Sequence, residues 1–161
     1  MNKSLVKNHN NREITLKRIR FYNFWLLIQY ILIRYKIFVL EDQRPINGEF
    51  YIEEIKVEHY ILFAQNRIIG IGRIIYEKHI AYLGRIAILK EYRGQGYGTI
   101  VTNLLIDITR VQDNITIISL FADNKKISFY KKFGFIETQN KMTFNNTIYV
   151  NMIINKNKYA S

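Results

Sequence analysis

Apolar positions recur along this chain with two periods, and the places where one period gives way to the other outline the fold. Tyr97, Ile100, Val101, Leu104, Leu105 and Ile108 fall on one stripe of an amphipathic helix. A second helix is expected from Asn23, a residue type suited to N-capping, to about Leu40, with Phe24, Leu27, Ile28, Ile31, Tyr35 and Phe38 on its inner face. Partial alternation from Ile14 to Tyr22 predicts a first strand. His59 to Gln65 and Ile68 to Tyr76 read as a hairpin turning at Asn66-Arg67. Ile80 to Leu89 (Arg85 excepted) and Ile115 to Ala122 are apolar on both faces, which puts them inside the sheet. Asp123-Asn124 is placed to cap a short helix from Lys125 to Phe133, closed by Gly134. Phe135 to Thr138 and Thr147 to Ile154 read as closing strands. Residues 1–12 are polar and read as a flexible lead-in, and Gln43 to Glu54, with Pro45 and Gly48, as a loop or broken helix. The order β-α-β-β-β-α-β-α-β-β predicts one mixed α+β domain over residues 13–155.

Composition narrows the function classes. The 161 residues contain no cysteine, which removes thiolate nucleophiles, disulfides and cysteine-based zinc sites. His9, His59 and His79 are too few and too scattered for a histidine-rich metal cluster. The balance fits a reducing cytoplasm. The uncharged run Phe21 to Ile33 is cut off by Arg34 and Lys36 before it reaches the ~20 residues a membrane span needs, and no small-residue cleavage site follows it. No membrane partner is expected. The net charge of +11 admits a nucleic-acid partner or a phosphate-rich ligand. Its scatter along an Ile-, Asn- and Lys-rich sequence favours a compositional bias.

The chemistry is concentrated where the strand ending near Leu89 breaks into Arg93-Gly94-Gln95-Gly96-Tyr97-Gly98-Thr99 and a helix follows at once. A strand, a glycine turn and a helix N-terminus make a phosphate cradle of backbone amides and helix dipole. The spacing is neither that of an NTPase P-loop nor that of a dinucleotide fingerprint.

Arg93-x-x-Gly96-x-Gly98 resembles the coenzyme signature of the GNAT N-acetyltransferase superfamily. So do Arg34-Tyr-Lys-Ile-Phe38-Val-Leu-Glu41-Asp42, Gly72-Arg73, Gly84-Arg85-Ile-Ala-Ile88, and Phe129-Tyr130-Lys-Lys-Phe-Gly134-Phe135, all in the family's order. The resemblance implies a GNAT fold: a mostly antiparallel sheet of about seven strands, splayed between strands 4 and 5 and flanked by helices. It implies acetyl transfer from acetyl-CoA (coenzyme A) to a primary amine by direct attack. The acceptor is expected to be a small molecule, with a protein N-terminus, a lysine or an aminoacyl-tRNA as alternatives, and a non-catalytic coenzyme-binding domain as a third reading. A homodimer is possible in this family. Departures fall on the acceptor side: Asp42 replaces a Gln, Tyr51-Ile-Glu53-Glu54 an acidic pattern, Lys126 a small residue and Tyr149 a His.

Carried over residue by residue, the coenzyme would be held by Ile86, Ala87 and Ile88, by Arg93, Gly94, Gln95, Gly96, Tyr97, Gly98 and Thr99, and by Asn124 and Tyr130. Asn124 could equally cap its helix. Tyr130 is the expected acid for the departing thiolate, or else a core aromatic. From their own positions rather than the resemblance, Glu41, on the helical stripe with Arg34, and His59, at a strand start, are the candidate bases, or else structural partners. Arg34, Glu41, Arg73 and Arg85 are the candidate acceptor contacts, with Arg73 and Arg85 able instead to pair with Glu53, Glu54 or Glu58.

Overall fold

The structure is a computed structural model that describes residues 4–9, 12–20, 22–45 and 57–156. Its framework is an eight-stranded sheet in the order β1-β2-β3-β4-β5-β6-β8-β7. The strands are β1 (Ser4–His9), β2 (Arg12–Arg18), β3 (Val57–Ala64), β4 (Arg67–Glu77), β5 (Ile80–Ile88), β6 (Ile117–Asp123), β7 (Ile136–Phe144) and β8 (Thr147–Asn155). Every neighbouring pair is antiparallel except β5 with β6. The sheet is therefore mixed and mostly antiparallel, with one strand more than expected. The additional strand is β1, which lies in the segment read as a polar lead-in. It pairs along its length with β2, and Lys7 reaches Asp107 at 3.4 Å.

Helix α1 (Phe24–Arg34) runs directly into a π-helical turn, Tyr35–Glu41, and covers one face of the sheet. Its inner face is Tyr30, Ile33, Ile37 and Phe38, packed on Ile61, Ile71 and Leu89. The expected inner face was wrong: Phe24, Ile31 and Tyr35 are exposed, and only Phe38 among the more C-terminal members is buried. With Gln29 the lone polar residue between Phe24 and Ile33, the sequence contains two apolar stripes, and the π turn widens the spiral after Arg34. Asn23 makes no side-chain cap.

Helix α2 (Tyr97–Arg110) covers the other face, with the predicted stripe Tyr97, Ile100, Val101, Leu104, Leu105 and Ile108 buried. It lies so close to β4 that a methyl group on Gly72 would meet Leu105 at 2.7 Å. The hairpin between β3 and β4 turns at Gln65 and Asn66, both at positive φ, one residue before the expected turn. After β6, a short turn at Asn124–Lys126 leads into α3 (Ile127–Lys131), and Gly134 closes it at φ 88°. Asp123, not Asn124, supplies the cap, its carboxylate accepting from the Lys125 amide at 2.9 Å. No helix among the described residues is long and apolar enough to cross a membrane.

Two irregularities in β5 position the site. Its register against β4 slips between Ile71 and Arg73, and Arg85 on the bulged side has φ 49°. Its pairing with β6 stops after Tyr82 and Ser119, although both strands continue. From Leu83 to Ile88 on one side and Leu120 to Asp123 on the other, the two strands diverge. The sheet is thus split, as expected, between the strands that the sequence numbers fourth and fifth.

Candidate functional site

The split opens into a cleft of about 720 Å³. Its floor is the diverging half of β5, Leu83 to Ile88, with Leu120 and Phe121 opposite. The π turn contributes Ile37, Phe38 and Asp42, β4 contributes Arg73, and α3 contributes Tyr130. The last two strands close the far side with Met142, Phe144 and Tyr149.

The direction of the β5 backbone groups follows from its pairing. The Leu89 amide donates to the Ile69 carbonyl at 2.9 Å. Bonding alternates along an antiparallel pair, so Ala87 faces Ile71 and spends its peptide groups on β4. Ile86 and Ile88 then turn theirs toward the split. The Ile88 carbonyl accepts from Arg93 Nε at 2.8 Å, which agrees with that direction.

Beyond Leu89 the chain makes a single 3₁₀ turn, Lys90–Tyr92, then the glycine turn. Gly94 and Gly96 have φ 76° and 82°, a conformation that a Cβ strains. The Arg93 amide donates to Lys90 and the Thr99 amide to Gly96, so both are used internally. Among the described residues the amides of Gly94, Gln95, Gly96, Tyr97 and Gly98 donate to no backbone carbonyl. Those amides sit at the N-terminus of a helix 14 residues long, and the donor set fits a diphosphate. The turn is braced from behind by β1: the His9 ring donates through Nε2 to the Gln95 carbonyl at 2.9 Å and rests edge-on against Tyr97.

The candidate side chains separate. Tyr130 lines the cleft at 9% exposure, and burial pushes its hydroxyl up to about 12. Arg73 and Arg85 line the cleft as well. Glu41 does not. Its carboxylate accepts from Arg93 at 2.6 Å, tying the end of the π turn to the start of the glycine turn. Two of the nitrogens of Arg93 are thereby used on Glu41 and Ile88. Arg34 is buried beside the Tyr30 ring, outside the lining. His59 bonds to the Tyr30 hydroxyl at 3.0 Å, also away from the cleft. Burial first, then Arg34 and Arg73, hold the His59 ring down at about 4. Asn124 is exposed and outside the lining, while its neighbours Asp123 and Lys126 are part of it. Glu58 pairs with Arg18 at 2.5 Å, not with Arg73 or Arg85. Glu53 and Glu54 lie outside the described residues. Sequence reasoning did not find Arg44, Tyr82, Phe121, Met142 or Phe144, all of which line the cleft. They come from four separate stretches of the chain, Met142 and Phe144 sharing β7, and no local pattern joins those stretches.

Known proteins share this architecture. A Bacillus subtilis protein named as an acetyltransferase is 32% identical over 108 residues, covering 64% of this chain and 71% of that protein. A crystal structure from Lactobacillus plantarum, named as an N-acetyltransferase, has a TM-score of 0.76 at 20% identity and covers 87% of this chain and 97% of that one. A spermidine N-acetyltransferase from Vibrio cholerae, in complex with CoA and spermine, has a TM-score of 0.66 at 18% identity, with 92% of this chain and 98% of that one covered. The two structural likenesses speak for the fold. A family model described as an acetyltransferase (GNAT) domain matches residues 38–156, from Phe38 of the π turn to the end of the described chain. With the split between β5 and β6, the glycine turn, α2 and α3 all inside that match, the chain belongs to the GNAT acetyltransferases.

Proposed function

We propose that the protein transfers an acetyl group from acetyl-CoA to the primary amine of a small molecule, by direct attack with both substrates bound, and that residues 13–155 form the catalytic unit. The observation that carries this reading is the split between β5 and β6, with its unpaired backbone rim leading to the amides of Gly94–Gly98. Bound there, the coenzyme supplies an activated thioester.

The remaining work falls to the protein's own groups. The turn amides and the α2 dipole hold negative charge at the mouth of the cleft. Arg93 serves this function by shaping the turn, since it is engaged with Glu41 and Ile88. Ile86 and Ile88 offer backbone groups at strand spacing to an extended, amide-bearing arm. We assign the Ile88 amide as the donor to the carbonyl oxygen as charge builds on it. Tyr130 donates toward the sulfur. An alkyl ammonium, with a reference pKa near ~10.4, must lose a proton before it attacks. No histidine lines the cleft among the described residues. Glu41 and His59 are both engaged elsewhere. We therefore assign proton removal to water near Asp42, the lining carboxylate at the end of the π turn. Holding both reactants in one cleft accounts for much of the rate, since effective molarities reach ~10⁵–10⁸ M.

The test is calorimetric titration with acetyl-CoA, together with thiol release in the presence of a panel of amines. Saturable binding and amine-dependent thiol release are expected. Gly96→Glu, which puts a carboxylate among the turn amides, is expected to abolish binding. Equal affinity in that variant would overturn the assignment of the turn.

A further inference from the structure

We propose that the acceptor amine carries an anionic group, a carboxylate or a phosphate, gripped by Arg85 and Arg44 over the Phe38 ring and by Arg73 beside Gly84. The inference deepens the acetyltransferase reading and rests on it.

All three arginines line the cleft. Arg44 and Arg85 lie over the same Phe38 ring, at 5.1 and 5.5 Å from its centroid, and Arg44 also lies 5.7 Å from that of Tyr149. Aromatic faces hold guanidinium planes while leaving their edges able to fork onto a carboxylate or phosphate. The Arg73 guanidinium passes over Gly84, where a methyl group would lie 3.7 Å from it.

Arg85 is the strongest part of the argument. Its φ of 49° belongs to the left-handed region, where a side chain other than Gly or Asn costs about 1 kcal/mol or more. A glycine would hold the same bulge without strain. An arginine there accepts that cost and contributes a cation to the cleft wall. Its position also separates it from the coenzyme's charges. Arg85 lies three residues below Ile88, roughly 10 Å along a strand, and the glycine turn lies farther beyond. The diphosphate is thus not its natural partner.

The local charge agrees. Among the described lining residues, Arg44, Arg73, Arg85, Arg93 and Lys126 face Asp42 and Asp123. Asp42 is 3.6 Å from Arg44, and Asp123 caps the turn before α3. Arg44, Arg73 and Arg85 make further contacts of their own, so an incoming anion competes for them as a bidentate, charge-assisted acceptor. A polyamine meets a wall of its own sign.

The experiment compares initial rates of thiol release with acetyl-CoA for matched acceptors. Amino acids and dipeptides are set against their amides, phosphoethanolamine against ethanolamine, and spermine is included as a polycation. Higher kcat/KM for the anionic member of a pair, by about tenfold, is expected. The carboxylate and phosphate pairs tell the two sources apart. Arg85→Gly retains the bulge and removes the cation, and is expected to shrink the anionic-to-neutral ratio by about tenfold; Arg85→Lys is expected to restore part of it. Equal rates within pairs, a preference for spermine, no transfer to any anionic acceptor, or an unchanged ratio in Arg85→Gly would overturn the proposal while leaving acetyl-CoA binding intact. Absence of acetyl-CoA binding would instead sink the underlying reading and this inference with it.

Discussion

Tyr130 sits between Phe129 and Phe135, and its hydroxyl, pushed up to about 12 by burial, remains protonated throughout the working range. A thiol has a reference value near ~8.5, so full proton transfer from this phenol to a thiolate runs uphill. In the proposed reaction its contribution would be a hydrogen bond that strengthens as charge reaches sulfur. Tyr130→Phe is expected to lower kcat by about 10²-fold with acetyl-CoA affinity nearly unchanged, read by thiol release and calorimetry; wild-type turnover would make it a packing residue. His59 supports a different prediction. Its folded value of about 4 lies below the unfolded value of 6.5, so the unfolded chain binds more protons between these limits. The stability it contributes is whole above pH 6.5 and is lost as pH falls toward 4. Partial solvent access reduces this to roughly 2 kcal/mol. Urea unfolding at pH 7.5 and 4.5 is expected to show that extra loss in the wild type and not in His59→Gln.

The first helix and the glycine turn show how differently elements declare themselves. In α2 polar residues separate the apolar ones, so the stripe that is read is the stripe that is buried. In α1 nearly every residue is apolar, and the sheet alone decides which stripe faces inward. Ile33→Ala is expected to cost about 2–4 kcal/mol. Leu32→Ala, one residue away and 55% exposed, is expected to cost less than about 0.5. Chemical unfolding of both variants checks the assignment of the face. Equal losses would overturn this assignment of the buried face. The π turn has a functional side too. It brings Phe38, and Asp42 just after it, into the cleft, while Glu41, outside the lining, turns to Arg93. A sequence pattern built on an α-helical period cannot express that division.

At the scale of the molecule, the parts legible in sequence are those encoded over short stretches. The strand–turn–helix around Gly94–Gly98, the hairpins and the interior strands β5 and β6 belong here, and the split follows from the family resemblance that the motifs carry. The parts not legible depend on distant partners. Ser4–His9 has little apolar patterning, and becomes a strand through its pairing with β2 and its contacts to Asp107 and Gln95. Arg44 enters the cleft from a segment without periodicity, held over rings supplied by Phe38 and Tyr149. Glu41 seemed a base because it shares a helix with Arg34, but its closest ionic partner is Arg93, 52 positions along the chain.

The parting of β5 from β6 gives this sheet four margins: the outer sides of β1 and β7, and two more in its interior. Open strand margins invite other chains to pair with them, and proteins usually blunt them. Here the inner pair lines a cleft of about 720 Å³, closed on its far side by β7 and β8. Filling the cleft with a ligand closes the exposed backbone and favours the folded state by mass action. The folded population of this enzyme is thereby tied to the supply of its own thioester donor.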